Sequence, residues 1–475
     1  MPGALAYNNL LWFTDDQGTI GCELCTSWEI SPDSLTHTFK LHQGVKFHSG
    51  EELTSADVKW TIEKWMGKID GVASPRIGPI ASYVDTVEAP DPYTVVVRMK
   101  RPAPSFPVFI AHDYGAIIKK DSTQEQLKAG PQGTGPFIVK QHIRDSSITY
   151  ERNPNYFKPG LPYLDQIELV IIRDEPAVRT AFATGNIDWT DIWPDPSLKP
   201  RYDQLEAEGK IKQWRHPHHW MQGLAINVTA PPLNDPRVRQ AINLALDRDS
   251  YEQVILFGFG GRARYWAWPV GSPWNPYQSE DELRRSLPGW ARTGPDKEAE
   301  RQQAKQLLAD AGYPNGFNME LLTESNPRTN EWVASQLQTI GIRATVVTRG
   351  DIFDELFAKG EYDAASQGYL INTGDPDEVL YGYFYTGGSR NYPQYSNPAF
   401  DALVDQQSAE PDPVRRRELV MQALKILDQD MTFPQVPRLP DYVATASYVG
   451  GYTQPVITRD MRFRRDFWWD KRLSR

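Results

Sequence analysis

The sequence predicts an α/β protein built of mixed sheets and divided into two or three lobes. Three observations predict it. Strand-like and helix-like segments alternate along the chain, the pattern of layered α/β architecture, and their irregular order favours mixed sheets over a single parallel one. At 475 residues the chain exceeds what one hydrophobic core usually supports. Its composition, 40% hydrophobic and 24% charged with a mean hydropathy of -0.55, is that of a globular protein. No apolar run reaches the roughly 20 residues of a membrane-spanning helix.

The elements follow in chain order. His37, Phe39 and Leu41 alternate with Thr36, Thr38, Lys40 and His42, the period of a half-buried strand. A glycine-containing turn comes next, then Thr54 or Ser55 as a cap and a helix through Trp60 and Ile62. Thr94 to Met99 is β-branched and reads as a strand leading into the proline-rich turn 102–107. The glycines and prolines of 130–137 (Gly-Pro-Gln-Gly-Thr-Gly-Pro-Phe) punctuate a crossing between lobes. A phosphate-cradling loop is excluded there, because the Gly-x4-Gly-Lys-Ser/Thr spacing is missing and Pro136 removes a donor N–H. Ile167 to Ile172 is a strand, and Glu175 to Ile187 a short amphipathic helix with Gly185 as its C-cap.

A strand at 224–228 breaks at Pro231-Pro232, and Asn234 or Asp235 caps a helix with Pro236 in first position. Val238, Ala241, Ile242 and Ala245 fall on one face of it. The loop 264–277 is too punctuated for a regular element. Glu298 to Ala311 is helical, with Ala304, Leu307, Leu308 and Ala311 on one side. Asn318 to Thr323 and Arg343 to Thr348 read as strands around a helix that starts near Glu331. The chain closes with helical material over 403–422 and 423–429 and extended segments over 442–452, without internal repeats.

Bulk chemistry narrows the function. With 51 basic and 61 acidic residues the net charge is -10, against a nucleic-acid partner. The 15 Trp and 22 Tyr serve packing or line a ligand chamber, and Trp220, Trp266, Trp268 and Trp274 make the case for a chamber. Cys22 and Cys25 are compatible with a redox motif, half of a metal site, a passive thiol pair or a small disulfide. Without a second pair or a thioredoxin-like surround, the passive readings are preferred. His216, His218 and His219 invite a metal, but Pro217 constrains them and adjacent residues of an extended run point to opposite faces, so no metal site is assigned. The motifs His-Glu-x-x-His and Gly-x-Ser-x-Gly and a dinucleotide fingerprint are all absent. The first residues carry no basic or apolar region of a signal peptide.

Five ordered blocks resemble one family. They are 35–58, Gly-Thr-Gly-Pro-Phe at 133–137, Arg-Asn-Pro-Asn-Tyr at 152–156 with Gly-Asn-Ile-Asp at 185–188, 224–248, and Gly-Tyr-Leu-Ile-Asn-Thr-Gly-Asp-Pro-Asp at 368–377. The chain is similar to the family 5 extracellular solute-binding proteins, the dipeptide, oligopeptide and nickel-binding components of ABC importers. The resemblance implies a periplasmic-binding-protein-like type II fold, cluster C, with two lobes around a ligand cleft and an extra third lobe. It places the extra lobe at 1–130, lobe I at 131–235, lobe III at 236–444 and the return to lobe I at 445–475. Full-length members carry a leader and a first strand–helix unit ahead of the Ser-Trp-Glu segment at 27–29. A secretion signal is therefore expected to precede this chain, and one lobe to expose an unpaired sheet edge.

The function implied is capture of a peptide or similar small solute for a membrane permease and its ATPases, by a monomer outside the cytoplasm, compatible with a lipid anchor on the precursor. No catalysis, cofactor or metal is implied. The resemblance puts 218–227 and 366–377 at the cleft. The ligand-binding candidates are thus Trp220, Met221, Tyr369, Asn372 and Asp375, joined by Trp266 and Trp268. In peptide-binding members an acid pairs with the ligand ammonium at the position of Asn372, and Asn supplies no charge. Asp375 and Asp377 either compensate or form an ordinary turn. An oligosaccharide stacked on the tryptophans is the alternative solute. A hydrolase using Asp375 and Asp377 is the alternative class.

Overall fold

The computed structural model describes residues 3–14, 19–74, 77–192, 198–216, 220–259, 264–324, 327–350, 357, 359–371, 373–388, 390–438, 441–451 and 468–469. The chain divides into two compact units, Met1–His216 with Asp441–Arg475, and Pro217–Pro440.

In the first unit, a four-stranded antiparallel sheet runs in the order Cys25–Ile30, Thr36–Leu41, Thr94–Met99, Val84–Asp91. The alternation in Thr36–Leu41 sends His37, Phe39 and Leu41 inward, as the sequence predicts. His37 lies edge-on to Phe106, and burial lowers its pKa to about 4, so it sits neutral in the core. Helix Ser55–Trp65 starts where Asp57 turns back to accept the Thr54 N–H and hydroxyl, satisfying an orphan donor. It buries Val58, Thr61, Ile62 and Trp65. Cys22 and Cys25 form a disulfide, and no free cysteine remains.

The Gly-Thr-Gly-Pro-Phe segment lies wholly within this unit. A Cβ on Gly135 would stand 2.3 Å from the carbonyl carbon of Ala6, and the Gly135 N–H donates to the Ala6 oxygen at 3.0 Å. Only glycine permits that approach. The segment feeds an antiparallel meander, Phe137–Ile143, Ser147–Arg152, Gln166–Val170. In a further three-stranded sheet, the returning strand Asp441–Ala446 lies between Trp189–Ile192 and Ile211–His216.

The second unit is built on a mixed five-stranded sheet, ordered Arg343–Thr348, Asn318–Thr323, Ala364–Leu370, Trp220–Ile226, Gln435–Val436. The first three strands are parallel, and the last two pair antiparallel to their neighbours. The Trp220–Ile226 strand, placed by sequence in lobe I, pairs along its whole length with Ala364–Leu370 and belongs to this unit. It begins four residues ahead of the strand expected at 224–228. Gly223 hid that start, because a side chain there would stand 2.4 Å from the Pro434 carbonyl.

Helix Pro236–Ala245 has Asp235 as its cap and buries Val238, Ala241, Ile242 and Ala245, the face read from sequence. The C-terminal helical material breaks elsewhere than expected. Helices Pro398–Ala409 and Pro413–Asp430 divide at Glu410-Pro411-Asp412, where Asp412 caps the second and Pro413 opens it. Among the described residues no helix is long and apolar enough to cross a membrane.

Candidate functional site

Strand Ala364–Leu370 carries Tyr369 into an aromatic nest. Its ring stacks on Tyr383 at 4.3 Å and on Tyr392 at 5.7 Å and tilts against Phe433 at 4.9 Å. Met221 lies directly across the ladder from Tyr369, also buried. Tyr369 is 2% exposed. Burial, followed by the neighbouring tyrosines, holds its hydroxyl pKa well above the ordinary value. Among the described residues that hydroxyl has no hydrogen-bond partner. A buried hydroxyl without a partner is costly and calls for one.

After Ile371 the chain turns through Thr373 to Asp377, and this turn is fastened from several sides. Thr373 donates from N–H and hydroxyl to Glu378 Oε2 at 2.8 and 2.9 Å. Gly374 takes a left-handed conformation, φ 68°, and its carbonyl accepts the Trp268 indole N–H at 3.0 Å. Asp375 caps the helix Pro376–Val379 by accepting the Asp377 N–H. Arg416 forks onto both Asp375 oxygens at 2.9 and 2.7 Å. Asp377 accepts from Gln407 and Ser408, and Arg416 stands 3.7 Å from its other oxygen. Burial opposes the charge on Arg416, but Asp375 and then Asp377 outweigh it, so the guanidinium pKa lies above its usual range. The next turn, the π-helical Leu380–Phe384, returns Tyr383 and Phe384 to the nest around Tyr369.

The structure thus brings Met221 and Tyr369 together and sets Asp375 in the adjoining turn, to which Trp268 donates from the short strand Trp268–Pro269. Trp268 is fully buried. Trp266 packs edge-on against Phe384 and donates its indole N–H to Asp428 at 2.9 Å. Trp220 pairs through its backbone with Leu370 at the end of the ladder. Asn372, His218 and His219 lie outside the described residues, and His216 pairs through its backbone with Asp441. No group of three metal-binding side chains occurs among the described residues.

Sequence reasoning missed Arg416, Tyr383 and Phe433. Arg416 sits in the run Arg415-Arg416-Arg417-Glu418, which reads as a solvated helix face. The cluster Tyr381, Tyr383, Phe384, Tyr385 was the available signal for the nest.

Comparison with known proteins bears on this arrangement. The model of the family described as bacterial extracellular solute-binding proteins, family 5, matches residues 19–391. Heme-binding protein A of Haemophilus influenzae is 26% identical over 489 aligned residues, covering 94% of this chain and 84% of that protein. Di/tripeptide-binding protein 2 of Pseudomonas aeruginosa is 27% identical over 495, covering 96% and 88%. The structure of the ABC transporter-associated periplasmic binding protein DppA from Helicobacter pylori, in complex with the peptide STSA, superposes with a TM-score of 0.82. It is 26% identical and covers 99% of this chain and 95% of its own.

Proposed function

The chain belongs to the family 5 bacterial extracellular solute-binding proteins, and from that premise we propose that it captures a peptide or similar small solute and delivers it to a membrane permease. The contact surface in this reading is the end of strand Ala364–Leu370 with the turn that follows, so that Tyr369 and Asn372 meet the solute, flanked by Trp220 and Met221. Trp266, Trp268 and Asp375 act behind them, holding the aromatic nest and the turn. The observation that supports this assignment is the Tyr369 hydroxyl, buried without a partner among the described residues and placed on the strand that leads into Asn372. A solute atom would complete it.

The same reading treats the four-stranded sheet of residues 1–130 and the three-stranded sheets of the first unit as separate lobes. It places the protein outside the cytoplasm as a monomer that works with a permease and its ATPases. The relatives carry names that span heme and di- or tripeptides, so the polarity at Asn372 decides the class. Titration with free and N-acetylated tripeptides tests the point. An uncharged anchor gives the two forms affinities within a few-fold of each other, and Asn372→Asp strengthens the free peptide by about tenfold or more, the worth of a charge-assisted hydrogen bond. Unchanged affinity in Asn372→Asp removes residue 372 from the solute.

A further inference from the structure

A cavity of about 360 Å³ opens inside the second unit, between helix Pro236–Ala245, the segment 286–290 and the C-terminal end of helix Pro413–Asp430. It shares Trp266 and Phe433 with the aromatic nest but contains neither Tyr369 nor the 373–377 turn. A void of about 150 Å³ already admits benzene, and small-ligand pockets begin at about 300 Å³. There is room for a bicyclic ring with a short polar arm.

One carboxylate, Asp428, lies in the lining. The Tyr265 hydroxyl donates to one of its oxygens at 2.8 Å and the Trp266 indole N–H to the other at 2.9 Å. Both donors are neutral. A carboxylate has about four lone-pair sites, so each oxygen keeps room for one more donor. Burial pushes the carboxyl up to about 6, and among the described residues only those two donors oppose the shift; no cation helps to hold the charge. Asp428 also stands in the last turn of helix Pro413–Asp430, where the backbone carbonyls favour a positive charge.

Flat faces surround this acid. Tyr265 and Tyr277 meet edge-on, with ring centres 5.4 Å apart and planes at 87°, and so form two perpendicular walls. Trp266 adds a third. Burial and then the charge of Asp428 raise the Tyr277 hydroxyl, so that ring lies within reach of the carboxylate's field. A cation beside a carboxylate and against such faces gains from the ring quadrupoles as well as from the opposite charge. Trp290 and Phe433, both buried, supply the apolar lining. Two cations also line the cavity: Arg264 is already engaged by a partner of its own, and Lys425 stands exposed on the rim. We propose that this cavity is a further binding site, for a small organic amine whose primary ammonium donates to Asp428 between Tyr265, Trp266 and Tyr277 and whose flat apolar body lies against Trp290 and Phe433. The site uses only side chains of the second unit and stands independently of the receptor reading.

Calorimetric titration of the full chain at low salt with tryptamine, tryptophol (a hydroxyl in place of the ammonium) and indole-3-acetate tests it. One equivalent of tryptamine binds. The alcohol and the acid each bind at least about tenfold more weakly, the worth of a charged hydrogen-bonded pair. Asp428→Asn removes that preference. Should that variant fail to fold, Lys425→Glu on the exposed rim carries the test. Exchanging a like charge for an opposite one tightens tryptamine at least about threefold and leaves tryptophol unmoved. Absence of binding at millimolar tryptamine, equal binding of amine and alcohol, an unchanged preference in Asp428→Asn, or no gain in Lys425→Glu would overturn the proposal. Tighter binding of the acid than of the amine would also overturn it, by making a cation of the lining the anchor.

Discussion

Replacing Arg416 by methionine keeps the length and apolar stem of the side chain and removes its charge. Asp375 then loses two hydrogen bonds, of 2.9 and 2.7 Å, and its counter-ion, in a site where both side chains are under a tenth exposed. Asp377, fully buried, loses a cation 3.7 Å away. Breaking one side of a buried pair costs about 3–5 kcal/mol, because the orphaned charge stays behind in a medium that solvates it poorly. Solvent screening does not reduce that figure here, as it would for a surface pair. Urea denaturation followed by tryptophan fluorescence reads the effect, since Trp266, Trp268 and Trp290 all lie buried in the second unit.

The double variant Arg416→Met/Asp375→Asn removes the orphaned charge and is expected to regain about 2 kcal/mol of the loss, the size of coupling found between directly contacting residues. Solute affinity is expected to fall with the single variant as well, because the turn from Thr373 to Asp377 is no longer clamped. A loss below about 1 kcal/mol, or a double variant no better than the single, would refute the idea that this ion pair pins the turn.

Tyr369→Phe is expected to raise folding stability by about 1–2 kcal/mol, since it removes a buried hydroxyl that has no partner among the described residues, while solute affinity drops about fivefold to tenfold; paired denaturation and titration check both. Burial raises Asp428 from 3.8 to about 6, with the Tyr265 and Trp266 donors opposing. A carboxyl raised on folding contributes its full stability only below the unfolded value and loses it as pH climbs through the folded one, here between about 4 and 6, at a cost of up to about 3 kcal/mol. Asp428→Asn should therefore gain on the parent in melts at pH 7 relative to pH 4, and an equal difference at the two pH values contradicts this. Opening the Cys22–Cys25 bridge, which closes a loop with a sequence separation of 3, is expected to cost only about 2 kcal/mol by loop entropy. The Cys22→Ser/Cys25→Ser variant should still fold and bind, as circular dichroism and titration would show.

Local physics made much of the fold legible. The alternation in Thr36–Leu41, the Asp235-Pro236 cap and the 238/241/242/245 face are each decided within a few residues, so they survive into the structure unchanged. The Gly-Thr-Gly segment was visible as punctuation, but its cause, contact with Ala6, lies far back in the chain. Distance in sequence is also what hid the chemistry of the turn. Asp375 is completed by Arg416, 41 residues on, and Gly374 by Trp268, 106 residues earlier. Nothing in either local pattern announces those partners. The break at Glu410-Pro411-Asp412-Pro413 carries a local signal, a cap and a proline that end one helix and start the next, but helical periodicity on both sides masks it.

One measurement tests the receptor reading most directly: titrate the purified full chain with di- to tetrapeptides, hold the mixtures for hours, and recover the peptides for mass spectrometry. One equivalent bound with micromolar or tighter affinity, weakened by Tyr369→Phe and returned intact, is the expected result. Peptide cleaved or altered over time, or no peptide bound at all, would contradict it.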